Sequence, residues 1–335
     1  MMFSSSSRSL TWFRFLVIFL SLFFAGCQSV TEGPDGLLPN GELIIFHAGS
    51  LANPVAQLSA EFQELYPAVE IQTEAAGSRT TVRKVSELDR EADLVMSADY
   101  QVIDSLLIPE FASWNVLFAR NSMVITYSAE AAYADEISAE NWYQILLRDD
   151  TDVGRSNPQA DPNGYRTLMV WQLAEIYYDI PGLAAQLEKA SPPQNIRPKE
   201  TDLIPLLQTG DLDYAFNYLS VALQHNLEFI NLPDQINLSN PVYQVFYQAA
   251  AVQLDGPEPG ETILREGDPI IYGVTIPSSA PRPDLAALFL KFLFSSRGQE
   301  ILEDQGQIPL LPPLSSQTEL LPENIRELVD LLGSN

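Results

Sequence analysis

An alternation of short apolar strands with amphipathic helices, repeated from residue 42 onward, constrains the fold more than any other feature of the sequence. Glu42 to His47 has the pattern of an apolar strand, and a helical pattern follows from Leu51 to Tyr66. Two further strand–helix units begin at Val69 and at Asp93. Strands that alternate with helices predict a parallel sheet covered by helices, so we expect an α/β fold.

Apolar spacing assigns several of the later elements. The sequence predicts helices at Asn141–Leu147 and from Gly164 to about Tyr178, with a polar loop at Asp149–Pro162 between them. A single amphipathic helix is expected from Leu285 to Leu302. In the first two helices the residues predicted to face the core are Leu51, Val55, Leu58, Phe62, Leu65, Val82, Val85 and Leu88.

The chain of 335 residues is long enough for two domains, each with its own core. An apolar segment from Leu117 to Tyr127 predicts a crossing into a second domain, and Phe229–Leu232 predicts the crossing back. These crossings divide the chain into one lobe of residues 42–120 plus 237–335 and a second lobe of residues 121–236.

The N-terminal segment is predicted to be a signal peptide covering residues 1–26. Arg8 and Arg14 precede an apolar run from Phe15 to Phe24, which is too short to span a membrane comfortably. Small residues then lead to Cys27, the only cysteine, as in a bacterial lipobox. We expect Cys27 to be lipidated and residues 27–41 to form a tether. The alternative is an ordinary cleaved signal with an incidental cysteine.

The composition excludes several classes of function. The net charge of −26 makes nucleic-acid binding improbable, and an anion site here needs local donors that act against the global field. The two histidines, His47 and His225, lack a second ligand at metal spacing. No phosphate-binding loop or nucleophile-elbow motif occurs. The residues alone therefore give no catalytic constellation.

Three turns share a design that suits an anion. Gly49-Ser50, Gly77-Ser78 and Asp161-Pro162-Asn163 each open a helix, where the first backbone N–H groups have no helical partner. Those N–H groups and the helix dipole both favour negative charge. The alternative is that Ser50, Ser78 and Asp161 only cap their own helices.

Six segments, in the same order, resemble those of a known family: His47-Ala48-Gly49-Ser50-Leu51, Gly77-Ser78-Arg79, Ser97-Ala98-Asp99-Tyr100, Arg155-Ser156-Asn157-Pro158 with Asp161-Pro162-Asn163-Gly164-Tyr165-Arg166, Ile196-Arg197-Pro198-Lys199-Glu200, and Ser220-Val221-Ala222-Leu223-Gln224-His225. Together they resemble the archaeal-type tungstate/molybdate-binding proteins of ABC importers, over about residues 41 to 312. This resemblance implies a type II periplasmic-binding-protein fold, with two α/β lobes joined by two crossing strands.

The resemblance also implies the ligand-binding residues. They are Gly49, Ser50 and Ser78 from the first lobe, with Asp161, Pro162, Asn163, Glu200 and Tyr218 from the second. In some members of the family two carboxylates reach the metal centre of the oxyanion, which assigns that role to Asp161 and Glu200. The alternative for Glu200 is a surface carboxylate paired with Arg197 or Lys199.

The function implied is capture of molybdate or tungstate outside the cytoplasm, by a binding protein that is not an enzyme and has no cofactor. The expected partners are the ABC permease and ATPase subunits, and the membrane through the lipid on Cys27; we expect a monomer. Two alternatives keep the fold: a site for sulfate, phosphate or another small anion, and a lipid-anchored enzyme on this scaffold. A structural lipoprotein with no ligand is a further alternative.

Overall fold

The computed structural model describes residues 39–333. The predicted signal peptide, Cys27 and most of the predicted tether lie outside these residues. Within the described part of the chain, no helix is both long enough and apolar enough to cross a membrane.

Short strands make up much of the described chain. In chain order they are β1 (Gly41–Ala48), β2 (Val69–Ala76), β3 (Leu94–Ser97), β4 (Val116–Arg120), β5 (Met123–Tyr127), β6 (Val153–Ser156), β7 (Ile196–Arg197), β8 (Tyr214–Tyr218), β9 (Glu228–Asn231), β10 (Ala251–Asp255), β11 (Thr262–Glu266), β12 (Ile271–Thr275), β13 (Ile308–Ser315) and β14 (Asp330–Leu331).

Helices connect and cover these strands. In chain order they are α1 (Ala52–Leu65), α2 (Ser78–Ser86), α3 (Tyr100–Leu106), α4 (Trp142–Leu146), α5 (Pro162–Tyr177), α6 (Leu183–Ala190), α7 (Ile204–Thr209), α8 (Leu219–Gln224), α9 (Gln244–Tyr247), α10 (Pro283–Leu293), α11 (Ser296–Asp304) and α12 (Glu323–Arg326).

The larger sheet contains seven strands in the order β14-β13-β4-β12-β3-β1-β2. β1 lies between β2 and β3 and is parallel to both, as the strand–helix alternation predicts. β12 is antiparallel to β3 and β4, and β13 is antiparallel to β4. The expected parallel sheet is therefore a mixed sheet, because strands from the C-terminal part of the chain enter it in the opposite direction.

The second sheet contains five strands in the order β7-β6-β8-β5-β9. β6 is parallel to β7 and β8, whereas β5 is antiparallel to β8 and β9. The parallel strands β6, β7 and β8 end at one edge of this sheet, as β1, β2 and β3 do in the larger sheet. Ligand sites in open α/β sheets lie at such carboxyl edges.

Two chain segments connect the sheets. Asn121 lies between β4 and β5, and its side-chain amide donates to the Ser220 hydroxyl (2.7 Å) and the Tyr272 hydroxyl (2.8 Å). The returning segment pairs with it, since the Met123 N–H donates to the Asn237 carbonyl. The two connections therefore lie side by side and are joined by a backbone hydrogen bond.

Three sequence predictions need correction. The loop expected at Asp149–Pro162 contains strand β6, whose central Gly154 packs between buried leucines. Leu88 lies beyond the end of α2 and is 66% exposed. The helix expected at Leu285–Leu302 is two helices, because the Ser295 hydroxyl accepts from the Gly298 N–H and starts α11.

The predicted core face of α1 is correct. Val55, Leu58 and Phe62 are fully buried, as is Leu51 in the preceding 3₁₀ turn. β10 and β11 form a separate hairpin, which the sequence patterns do not predict.

Candidate functional site

The first predicted turn follows β1 at the carboxyl edge of the larger sheet. Gly49–Leu51 form a 3₁₀ turn that leads into α1, and Ser50 is fully buried. The Tyr272 hydroxyl accepts from Asn121 and donates to Ser50 Oγ at 3.0 Å. Because its oxygen already accepts a hydrogen bond, the Ser50 hydroxyl can donate its own proton into the site.

The second turn follows β2, and its serine does not cap its own helix. Ser78 is the first residue of α2 and is fully buried. Its Oγ accepts a 2.9 Å hydrogen bond from the Ala98 N–H, in the turn after β3. The Ser78 hydroxyl therefore also has an accepting bond satisfied and a proton free to donate.

The third turn comes from the other sheet and lies directly against the second. Asp161 is the N-cap residue of α5, and Pro162 is its first helical residue. The Asp161 carboxylate makes no capping bond and instead accepts from the Glu200 N–H at 2.9 Å. A methyl group added at Gly77 would overlap the Ala160 carbonyl oxygen, so glycine permits this close approach.

Asn163 is fully buried in the first turn of α5. Its Oδ1 accepts from the Ser156 hydroxyl at 3.4 Å, and its Nδ2 lies 3.8 Å from the Met123 sulfur. These contacts hold the start of α5 against the ends of β6 and β5.

Glu200 opens a 3₁₀ turn after β7 and is 1% exposed, so the alternative of a surface carboxylate is wrong. Within residues 39–333, neither of its carboxylate oxygens makes a hydrogen bond of good geometry, although the Ser50 N–H and the Asp161 carboxyl lie close enough to act on its pKa. A methyl group added at Gly49 would lie 3.1 Å from Oε1 and 3.2 Å from Oε2. The Glu200 carboxylate thus faces the first turn across the gap between the two sheets.

Two buried carboxyl groups side by side are electrostatically unfavourable. Burial raises the pKa of Glu200 well above its usual range, and the charge of Asp161 raises it further. Burial also raises the pKa of Asp161. Such a pair is stabilised by a proton or by an electropositive centre that both oxygens can approach.

Tyr218 ends β8 and is fully buried beside this pair. Its hydroxyl oxygen accepts a 2.9 Å hydrogen bond from Arg166 Nη1. Burial raises the pKa of Tyr218, and Asp161 and Glu200 are among the charges that act on it. The structure therefore brings together Gly49, Ser50, Ser78, Asp161, Glu200 and Tyr218, with Pro162 and Asn163 beneath them.

The sequence patterns assign no role to Arg166, Tyr272 or Asn121. Arg166 donates to the Tyr218 hydroxyl, Tyr272 donates to the Ser50 hydroxyl, and Asn121 donates to Tyr272. Arg166 ends one of the six segments that resemble the family, and no local sequence pattern singles out Tyr272 or Asn121. His47 lies next to the site, but it is buried and its Nδ1 lies 2.8 Å from the Ala48 carbonyl oxygen. Residues 39–333 contain no group of three or more His, Cys, Asp or Glu side chains that could hold a metal ion.

A family model described as bacterial extracellular solute-binding protein matches residues 43–307. The chain belongs to this family. It is 48% identical to an uncharacterized solute-binding protein of Petrotoga mobilis, over 86% of this chain and 90% of the relative. It is 41% identical to the molybdate/tungstate-binding protein WtpA of Pyrococcus abyssi, over 94% of this chain and 96% of the relative.

Solved structures share the fold at low identity. The periplasmic molybdate-binding protein of Azotobacter vinelandii aligns with a TM-score of 0.57 at 16% identity, covering 79% of this chain and 98% of that chain. The sulfate-binding protein SubI of Mycobacterium tuberculosis aligns with a TM-score of 0.60 at 13% identity, covering 82% and 88%. The predicted α/β fold of periplasmic solute-binding proteins is confirmed.

Family membership confirms other predictions. The chain is a solute-binding protein and not an enzyme, and its family is described as extracellular. The family binds solutes as ligands, in agreement with the expectation of no cofactor. The resemblance to molybdate/tungstate-binding proteins is confirmed by relatives that match most of the chain.

Proposed function

We propose that this protein captures molybdate or tungstate outside the cytoplasmic membrane and delivers it to the permease of an ABC importer. The observation that carries the proposal is the buried pair of Asp161 and Glu200 beside the Ser50 and Ser78 hydroxyl groups. Two related proteins support this choice of ligand. They are the molybdate/tungstate-binding proteins of Pyrococcus abyssi and Thermococcus kodakarensis, and each is 41% identical to this chain.

The carboxylates favour a molybdenum or tungsten centre over sulfur or phosphorus. At short distance and low dielectric, two carboxylates repel a tetrahedral dianion strongly. Molybdenum and tungsten are large enough to accept further oxygen ligands, so Asp161 and Glu200 bind the metal centre and offset that repulsion. Sulfate and phosphate offer no such centre and would meet only the repulsion, which makes the pair a device for rejecting them.

The outer oxygen atoms of the ligand need donors, and both sheets supply them. Ser50 and Ser78 from one side and Tyr218 from the other each have a proton free to donate. The backbone N–H groups at the starts of α1, α2 and α5 add donors that carry no charge to bury. Because these groups come from both proposed lobes, residues 42–120 plus 237–335 and residues 121–236, ligand binding favours the closed arrangement.

A calorimetric titration of the chain from residue 28 onward tests the proposal. We expect tight binding of tungstate and molybdate, and no heat of binding from sulfate or phosphate at the same concentrations. As a control, tungstate is titrated into protein that already contains a tenfold excess of sulfate. We expect the same tungstate isotherm as without sulfate. Equal binding of sulfate would leave the fold intact and overturn the roles of Asp161 and Glu200.

The proposed function implies the partners, and the lipobox-like residues before Cys27 imply the membrane anchor. We propose that the permease and ATPase subunits are separate chains and that a lipid on Cys27 holds the protein at the membrane. We expect Cys27→Ser to prevent incorporation of labelled palmitate in the native host and to release the protein from the membrane fraction. Unchanged labelling of the variant would show that the predicted lipidation site is wrong.

A further inference from the structure

Arg166 crosses the gap between the two sheets. It lies one turn into α5 and is 3% exposed. Its Nη1 donates to the Ala98 carbonyl at 2.8 Å, and its Nη2 lies 3.5 Å from Asp99 Oδ2. Ala98 and Asp99 belong to the turn between β3 and α3, in the larger sheet, whereas α5 covers the smaller one. Arg166 is therefore a buried charge with two partners, Ala98 and Asp99, on the opposite side of the cleft.

The partner carboxylate is committed to this contact. Asp99 is 4% exposed, and the Tyr165 hydroxyl, from the residue before Arg166, also donates to it. Burial raises the pKa of Asp99, but the charges of Arg166 and Arg265, together with hydrogen bonds from the Tyr165 hydroxyl and the Gln101 N–H, hold the pKa below its usual value. Separating these two charges while both stay buried is costly, because each would lose its partner without gaining water. Once the cleft opens, water can solvate both charges.

The same guanidinium contacts the ligand site from two directions. Nη1 donates to the Tyr218 hydroxyl oxygen at 2.9 Å, within the second lobe. The peptide of Ala98 connects it to the first lobe, since the Ala98 carbonyl accepts from Arg166 and the Ala98 N–H donates to Ser78 Oγ. Arg166 is thus hydrogen-bonded directly to Tyr218 and is linked to Ser78 through the Ala98 peptide.

The direction of these hydrogen bonds decides what the hydroxyl groups can do. Guanidinium groups only donate, so the Tyr218 oxygen must be the acceptor of the Arg166 bond. The Tyr218 proton is then directed elsewhere, and the neighbouring charges on that hydroxyl are Asp161 and Glu200. Without Arg166, the hydroxyl could rotate and present its lone pairs to an anion, which is repulsive.

We propose that Arg166 is a positioning residue that couples lobe closure to the donor orientation of Tyr218. In the open state it holds the Tyr218 oxygen and presents the hydroxyl proton; on closure it adds the Ala98 carbonyl and Asp99 as a latch. This inference rests on the proposed oxyanion function and assigns to Arg166 no direct contact with the ligand.

A double-mutant cycle with Tyr218 tests the coupling. We expect Arg166→Met to lower the tungstate affinity about 100-fold, because a buried charged hydrogen-bond partner is lost on both sides of the cleft. In a Tyr218→Phe background the same change should cost only about tenfold, since the hydroxyl that Arg166 orients is already absent. Arg166→Lys keeps a donor and the charge, and should recover about tenfold of the loss.

Kinetics separate a latch from a general loss of stability. Because the proposed latch adds the Ala98 and Asp99 contacts on closure, we expect most of the loss in Arg166→Met to be a faster dissociation rate measured by stopped flow. Arg155→Met is the matched control. Arg155 is also buried, at 6% exposure, but it packs over the Trp171 ring, so we expect its replacement to lower the thermal stability and leave the tungstate affinity unchanged.

The outcomes are distinct. If wild-type protein binds tungstate and Arg166→Met binds it as tightly, the inference is wrong and the proposed function stands. Equal losses from Arg166→Met in the presence and absence of the Tyr218 hydroxyl would also overturn it, because the two residues would then act independently. If the wild-type protein binds none of the four oxyanions, the proposed function fails and the inference fails with it.

Discussion

Replacing Glu200 with glutamine lowers the affinity for tungstate and molybdate about a thousandfold, or about 4 kcal/mol. The substitution keeps the shape of the side chain and removes the charge that we propose to bind the metal centre. Asp161→Asn should give a loss of similar size, because its oxygen can still accept from the Glu200 N–H while its charge is lost. Calorimetry on each variant, with tungstate and sulfate as ligands, measures both effects.

The ligand-free protein should respond in the opposite direction. The Glu200 carboxylate is buried beside Asp161, and neither of its oxygens makes a hydrogen bond of good geometry within the described residues. Removing that charge relieves a desolvation cost and a repulsion, so we expect Glu200→Gln to raise the melting temperature in the absence of oxyanion. A residue that weakens the empty protein and strengthens the complex is serving the ligand.

Asp93→Asn is the matched control for a buried carboxylate. Asp93 is fully buried at the opposite end of β3, where its oxygens accept from the Ile44 N–H (2.8 Å) and the Arg282 N–H (2.6 Å). We expect this variant to lose stability and to bind tungstate as tightly as the parent. If sulfate were the ligand, Glu200→Gln and Asp161→Asn would strengthen its binding, and that result would contradict the proposal.

The three turns could be predicted because their signals are local. A glycine and a serine directly after an apolar strand mark a strand-to-helix turn, and Gly49, Ser50, Gly77 and Ser78 all show this pattern. The meeting of Asp161 and Glu200 is not local. It depends on β6 and β7 lying parallel so that their carboxyl ends coincide, and the two-residue strand β7 leaves no periodic signal. The resemblance alone placed Glu200 in the site.

The residues that orient the hydroxyl groups were missed for the same reason. Tyr272 and Ser50 are 222 positions apart in the sequence, and their contact depends on β12 entering the larger sheet beside β3. The break at Ser295 is a different kind of error. Apolar spacing continues through both α10 and α11, so periodicity predicts one helix, while the capping serine ends that continuity.

Replacing Gly77 with alanine should lower the affinity for tungstate about 100-fold with little change in stability. Gly77 has a φ of −58°, which alanine adopts freely, so the substitution adds no backbone strain. The added methyl group would overlap the Ala160 carbonyl oxygen and lie 2.9 Å from Asp161 Cβ. In the proposed closed arrangement these atoms approach Gly77 from the other lobe, so we expect the cost to fall on the closed state and to reduce the population competent to bind.

Gly210 is the control for Gly77, because its replacement should lower the stability and not the affinity. Gly210 has a φ of +78° with no atom within 4 Å of an added methyl group. Gly210→Ala should therefore cost about 1 kcal/mol of unfolding free energy in urea and leave the tungstate affinity unchanged. Tight binding by Gly77→Ala would mean that the ligand is held without the approach of Ala160 to Gly77. The oxyanion would then depend on one lobe alone, although its proposed donors lie on both, and closure would have no part in capture.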